Sequence, residues 1–321
     1  MRTVVVVALV AFALALVTTP VAMAVARRTG IVDRPGPLKR HGAPVPYLGG
    51  VAVFVAAAYG VLVGQPLVLA PLTMALALGV ADDVGDLPPW FRLAGAVVIG
   101  VVVALVVPTH LPRALGPLLV VAVTVLLING VNLLDGLDGL AGGVTAAACG
   151  AFALLLHGAA RDLAVGFTFA LVGFLAYNRP PARVYLGDGG AYLLGTALAV
   201  MVARAWGSGV RPSIGVAGLL LVAIPSAEVA FTVVRRLRGG RALAAGDRGH
   251  SYDRLAARGV PVGVVALGFI AAQVVLGGLA LAVSRPKSIV PGVMAVVGVA
   301  VVLVAAGAGA GVLTPEGEAG P

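Results

Sequence analysis

Charge is scarce in this chain: Asp, Glu, Lys and Arg make up 11% of its 321 residues, whereas soluble domains carry about a quarter. With 60% of residues hydrophobic, a water-soluble globule is excluded. Cysteine is almost absent. Cys149 is alone and lies in an apolar run, which rules out an intrachain disulfide and makes it a small buried packing residue. Acids are fewer than bases, 13 against 22, for a formal charge of +9. The basic residues are scattered among apolar runs instead of forming one face or tail, which argues against nucleic acid. Lipid headgroups and phosphorylated substrates are the anionic partners to expect. Glycine and proline are plentiful, as membrane helices tolerate.

Long apolar runs dominate what is present. Read as membrane spans, they fall at about 4–26, 47–64, 66–81, 91–108, 115–129, 139–157, 162–177, 190–206, 212–234, 261–284 and 288–313. The expected fold is therefore all-α and polytopic, with ten or eleven transmembrane helices in a single domain over 1–321 and a short polar tail at 314–321. The run behind Met1-Arg2 is read as the first span, not as a cleaved signal, because it is long enough to cross. Fifteen of the 22 Lys and Arg residues lie in connectors after odd-numbered spans, so those connectors are expected on the cytoplasmic side and the N-terminus outside. The same assignment puts Asp33, Asp82, Asp83, Asp86, Asp135, Asp138, Asp188, Asp247 and Asp253 in or beside inner loops. Only Asp162 falls in an outer loop, and only Glu228 within a span.

Four inner segments carry chemistry. Asp82-Asp83 ends the third span, and adjacent carboxylates at a membrane edge need a cation, a proton or a basic partner between them. Mg2+ held by one or two carboxylates plus substrate phosphates fits that need, although a solvated turn at Pro88-Pro89 would also place acids there. Between two further spans, Asn129, Asn132, Asp135 and Asp138 exceed what one helix cap requires, which suggests hydrogen bonding to a nucleotide or sugar. Asn178 leads into Gly187-Asp188-Gly189-Gly190, an acid flanked by glycines at a helix start. There backbone can approach a phosphate while the acid binds its metal, or simply caps the helix. Last comes an arginine-rich loop from Arg235 through Arg241 to Arg248 and His250, suited to phosphates but also to a positive-inside anchor.

These stretches resemble the polyprenyl-phosphate N-acetylhexosamine-1-phosphate transferases. That family includes the GlcNAc-1-phosphate transferases of envelope polymers and the phospho-N-acetylmuramoyl-pentapeptide transferase of peptidoglycan synthesis. The resemblance rests on Asp33-Arg34-Pro35 with Lys39 and His41, Pro44 to Gly50, Asp82-Asp83, the Asn132/Asp135/Asp138 segment, Asn178 to Gly189, and Asp247-Arg248-Gly249-His250. It implies an all-helical bacterial plasma-membrane enzyme with its site at the cytoplasmic surface. There a polyprenyl phosphate would attack the β-phosphate of a UDP-N-acetylhexosamine, with UMP released. It further implies Mg2+, or Mn2+ in its place, and a homodimer as a possible assembly.

Among the residues, the resemblance makes Asp82, Asp83 and Asp188 catalytic, one of the pair being the base, with Asp83 and Asp188 on the metal. Lys39, His41, Asn132, Asp135, Asp138, Asn178, Arg241, Arg248 and His250 fall on substrate-binding positions. Departures occur at His250-Ser251-Tyr252-Asp253, which keeps one histidine of the usual His-x-His-His, and at Gly190, where Ser is usual one position on. Leu38 stands where Arg is common, and Arg92 is the candidate basic partner after the paired aspartates. The Arg235-Arg236 and Asp247-Arg248-x-His250 pattern favours the GlcNAc-1-phosphate branch over the peptidoglycan branch. The rival from another class is a secondary transporter, which would place its carboxylates at the midplane of broken helices and show internal repeats; only Glu228 is so placed, and the halves show no clear repeat.

Overall fold

The computed structural model describes residues 2–34, 42–207, 211–242 and 249–314. Every apolar run becomes helix: α1 (Arg2–Thr29), α2 (Gly49–Gly64), α3 (Leu69–Gly85), α4 (Pro89–Val106), α5 (Gly116–Leu134), α6 (Leu140–Leu155), α7 (Gly158–Asn178), α8 (Gly187–Trp206), α9 (Pro212–Leu220), α10 (Ala223–Arg238), α12 (Val262–Ser284) and α13 (Val290–Gly309), with the short α11 (Ser251–Ala257) before α12. Proline begins α4, α5, α9 and α13, where its missing N–H costs nothing and its fixed φ starts the turn.

The expected count of spans changes in two ways. Eight helices are long and apolar enough to cross a membrane, and α9 with α10 makes a ninth that is bent by 58°. That run was expected as one straight helix. Pro225 breaks it, since its ring clashes with the carbonyl of Leu221 four residues earlier, and the freed Leu221 carbonyl accepts from Gln273 of α12 at 3.1 Å. The other two, α2 and α6, have 16 residues each. At ~1.5 Å per residue they fall short of a ~30 Å hydrocarbon core.

The innermost helix is α8, whose residues are buried almost throughout and which packs against α2, α3 and α5. Around it, α1 and α2 pack on α7, α6 lies between α7 and α12, and α10 leans on α5. Glycine and alanine are frequent along these faces, which lets backbones approach where the hydrophobic effect cannot drive helices together. Cys149 is fully buried in α6, as expected of a packing residue. The outer helices α1, α4 and α13 expose rows of Val and Leu, the surface a lipid-facing helix needs.

One hairpin is present among the described residues, β1 (Val32–Asp33) against β2 (Val45–Pro46), antiparallel with Val32 opposite Pro46. It continues into the segment before α8. The Tyr185 N–H donates to the Pro46 carbonyl at 2.8 Å, and the N–H groups of Gly49 and Gly50 donate to the carbonyls of Tyr185 and Leu186, both at 3.0 Å. This backbone seam fixes the start of α8 against the start of α2.

Candidate active site

Asp82 and Asp83 were expected at the inner end of the third span, just past its last residue. The structure extends α3 to Gly85, so both occupy its last turn and, as neighbours on a helix, project in different directions. Asp82 is buried. Its Oδ1 accepts from Leu87 N at 2.9 Å, and its Oδ2 accepts from Tyr192 Oη at 2.7 Å and Arg92 Nη1 at 3.2 Å. Arg92, singled out as the basic partner, does pair with the acids, through Asp82.

Asp83 turns toward α8. Oδ1 accepts from the Asp188 N–H at 2.9 Å and Oδ2 from the Gly189 N–H at 3.1 Å. Those are first-turn amides with no partner inside their own helix, and α8 has no side-chain cap of its own. A carboxylate more than a hundred residues earlier therefore caps α8. Gly187 permits the approach: its φ is +69°, and a Cβ there would stand 2.6 Å from Asp83 Oδ2.

Asp188, in the first turn of α8, is not a simple cap. Its Oδ1 accepts from Asn132 Nδ2 at 2.6 Å, and Asn132 lies in the last turn of α5, not in a loop. Asp135 follows at the end of α5 and is half-buried. Desolvation, with the charges of Asp188, Asp83 and Asp138 added, holds its carboxyl well above the usual carboxylate range. Burial first, and then the charges of Asp83, Asp188 and Asp135, push the Tyr47 hydroxyl up to about 12. The ends of α3, α5 and α8 thus bring Asp82, Asp83, Asn132, Asp135 and Asp188 into one electrostatically connected cluster. Among the described residues, Asp83, Asp135 and Asp188 form no ion pair, because Arg92 is turned to Asp82.

Other expected site residues have structural partners. Asp138 Oδ2 accepts from Ala182 N at 2.9 Å, and the buried Asn178 accepts from Gly139 N at 3.1 Å while donating to the Val184 carbonyl at 2.8 Å. These two stitch the segment before α6 to the end of α7, beside the cluster. Arg241 is exposed just after α10, with its N–H donating to the Arg236 carbonyl at 2.9 Å. His250 is buried, with Nδ1 3.0 Å from Glu228 Oε1. Lys39, His41 and Arg248 lie outside the described residues.

Two residues escaped the sequence reading as parts of the site. Tyr192 carried no local signal, being one tyrosine in a buried helix four positions after Asp188. Tyr252 sat inside the altered histidine run but could not be connected from sequence to α5; its Oη donates to the Leu133 carbonyl at 2.8 Å.

The chain is similar to known proteins over the stretch that carries this cluster. The family model described as glycosyl transferase family 4 matches residues 66–205, the stretch from just before α3 to the end of α8. A Thermotoga maritima undecaprenyl-phosphate alpha-N-acetylglucosaminyl 1-phosphate transferase is 33% identical over 225 residues, covering 68% of this chain and 70% of that protein. A Mycobacterium tuberculosis decaprenyl-phosphate N-acetylglucosaminephosphotransferase is 29% identical over 290 residues, covering 74% and 72%. A Streptomyces coelicolor chain whose name describes it as a glycosyltransferase is 37% identical over 326 residues, covering 94% and 73%. With its acidic cluster at the joined ends of α3, α5 and α8, this multi-pass membrane chain belongs to glycosyl transferase family 4, among the polyprenyl-phosphate N-acetylglucosamine-1-phosphate transferases.

Proposed function

We propose that the protein transfers N-acetylglucosamine 1-phosphate from UDP-GlcNAc to a polyprenyl phosphate at the cytoplasmic face of the bacterial plasma membrane. An oxygen of the lipid phosphate attacks the β-phosphorus of UDP-GlcNAc. The bond from that phosphorus to the bridging oxygen breaks, UMP leaves with the oxygen, and a lipid diphosphate sugar remains. The acceptor and the sugar are the ones in the names of the Thermotoga and Mycobacterium relatives. The orientation follows from the Lys and Arg bias of the connectors.

The observation that carries this reading is the half-buried set of Asp83, Asp135 and Asp188, gathered from three helices and holding no ion pair among the described residues. Desolvated carboxylates that feel one another's charge repel unless a cation joins them. The donor set suits Mg2+, or Mn2+ in its place. Among the described residues no three His, Cys, Asp or Glu close into a metal cage, and Mg2+ characteristically takes one or two carboxylates and completes its shell with water and substrate phosphates. Asp188 and Asp83 would hold the ion. Bound there, such an ion would neutralise the diphosphate and would stabilise charge developing on the departing UMP.

The chain's own groups do the remaining work. Asn132 fixes the Asp188 carboxylate, Asp83 locks the first turn of α8 beneath it, and Arg92 and Tyr192 hold Asp82 at the edge of the cluster. Asp82 or Asp83 takes the proton of the incoming lipid phosphate.

The test is transfer of radiolabel from UDP-GlcNAc to polyprenyl phosphate by purified protein in detergent, with Mg2+ or with EDTA. Label should enter the lipid phase only with the metal. Absence of transfer from UDP-GlcNAc and from other UDP-N-acetylhexosamines would overturn the reading.

A further inference from the structure

The proposed reaction leaves the buried acid of α10 unused. Glu228, the only carboxylate that the sequence places within a span, sits in α10 with 2% of its surface exposed. Among the described residues, its side-chain hydrogen bonds run to the start of α11. Oε1 accepts from Ser251 N at 3.2 Å and lies 3.0 Å from His250 Nδ1, while Oε2 accepts from the Ser251 hydroxyl in a very short contact. A proton on His250 Nδ1 would complete this contact and set the tautomer of the ring.

Beyond His250 the contacts lead back to the cluster. The imidazole stacks on the Tyr252 ring, with centroids 5.4 Å apart and planes 8° from parallel. Tyr252 Oη reaches the Leu133 carbonyl and lies so close to Gly136 that a Cβ there would collide with it. Leu133 adjoins Asn132, which holds Asp188. The break at Leu221–Val222 turns α10 by 58° from α9 and brings Glu228 under α11.

We infer that Glu228 is a positioning residue for the transfer reaction, acting through His250 and Tyr252 on the Asn132–Gly136 turn. The inference rests on the function proposed above. Glu228 touches no reacting atom; it sets the ring orientation of His250, which stacks on Tyr252, and Tyr252 supports the end of α5.

The experiment measures kcat and KM for UDP-GlcNAc in wild type, Glu228→Gln, Glu228→Ala, His250→Ala and the Glu228→Ala/His250→Ala double variant. Loss of an orienting carboxylate costs about 10- to 100-fold in turnover. Glu228→Ala should show that loss chiefly in kcat, and Glu228→Gln, which keeps an acceptor, should fall between it and wild type. The double variant should be no slower than His250→Ala, because Glu228 acts through that ring. Full kcat in Glu228→Ala, or losses that multiply in the double variant, would overturn the inference. Should Glu228→Ala fail to fold, the near-isosteric Glu228→Gln carries the test against His250→Ala. If wild type transfers nothing, the function proposed above fails, and the positioning contact is read separately from the 15N shifts of labelled histidine. Nδ1–H at His250, lost in Glu228→Ala, supports the contact; Nε2–H in wild type refutes it.

Discussion

Replacing Gly187 by alanine would separate the geometry of the cluster from its chemistry, because the substitution removes no functional group. Two effects follow from the structure. The φ of +69° is unfavourable for a side-chain-bearing residue by roughly 1–2 kcal/mol. The new Cβ would also lie 2.6 Å from Asp83 Oδ2, against 3.4 Å for ordinary contact, so Asp83 must retreat by about 0.8 Å (3.4 − 2.6). The Tyr47 carbonyl, 2.9 Å away, blocks retreat of the alanine itself. A misplacement of about 1 Å costs on the order of 100-fold in rate, and kcat should fall by about that factor.

Gly158→Ala is the control. Its φ of +56° imposes the same kind of backbone strain, but nothing lies within 4 Å of the added Cβ. Both variants should lose stability to the backbone strain, followed by thermal unfolding in detergent, Gly187→Ala the more because of its added contacts, and only Gly187→Ala should lose turnover in the lipid-transfer assay. Equal activity in the two would refute the placement of Asp83 against the start of α8.

Three further outcomes are expected. Asp82→Asn, Asp83→Asn and Asp188→Asn should each abolish transfer while still inserting in the membrane; full activity in all three would remove the cluster from the reaction. Asn178→Ala should leave the Gly139 N–H and Val184 carbonyl unpaired and cost about 1–3 kcal/mol in denaturant unfolding. A rise in KM for UDP-GlcNAc without that loss would instead make Asn178 a direct substrate contact. Asp135 gives a pH signature. A carboxyl whose folded pKa is raised stabilises the fold fully only below its unfolded value of about 4, and that contribution is lost as pH rises through the raised folded value. Metal-free protein should therefore lose thermal stability as pH rises above the ordinary carboxylate range. Asp135→Asn should flatten the profile, and an unchanged profile would contradict the desolvation of Asp135.

The sequence by itself determined the class of protein and the membership of the acidic cluster. Apolar runs of spanning length leave no soluble alternative, and each became helix, because a backbone in lipid must satisfy its hydrogen bonds locally. Asp82, Asp83, Asn132, Asp135 and Asp188 were all legible as residue types out of place among such runs. Their roles were not, because those depend on partners remote in the chain. Only the tertiary structure turned Asp82 to Arg92 and Tyr192 and its neighbour Asp83 to the amides of α8. Asp138 and Asn178 read as ligand-binding residues from their type and place; only the structure shows that they also accept from the backbone N–H groups of Ala182 and Gly139. The break between α9 and α10 likewise lay hidden in a continuous apolar run. Proline alone does not specify a 58° bend: that required Gln273, on another helix, to satisfy the carbonyl Pro225 sets free.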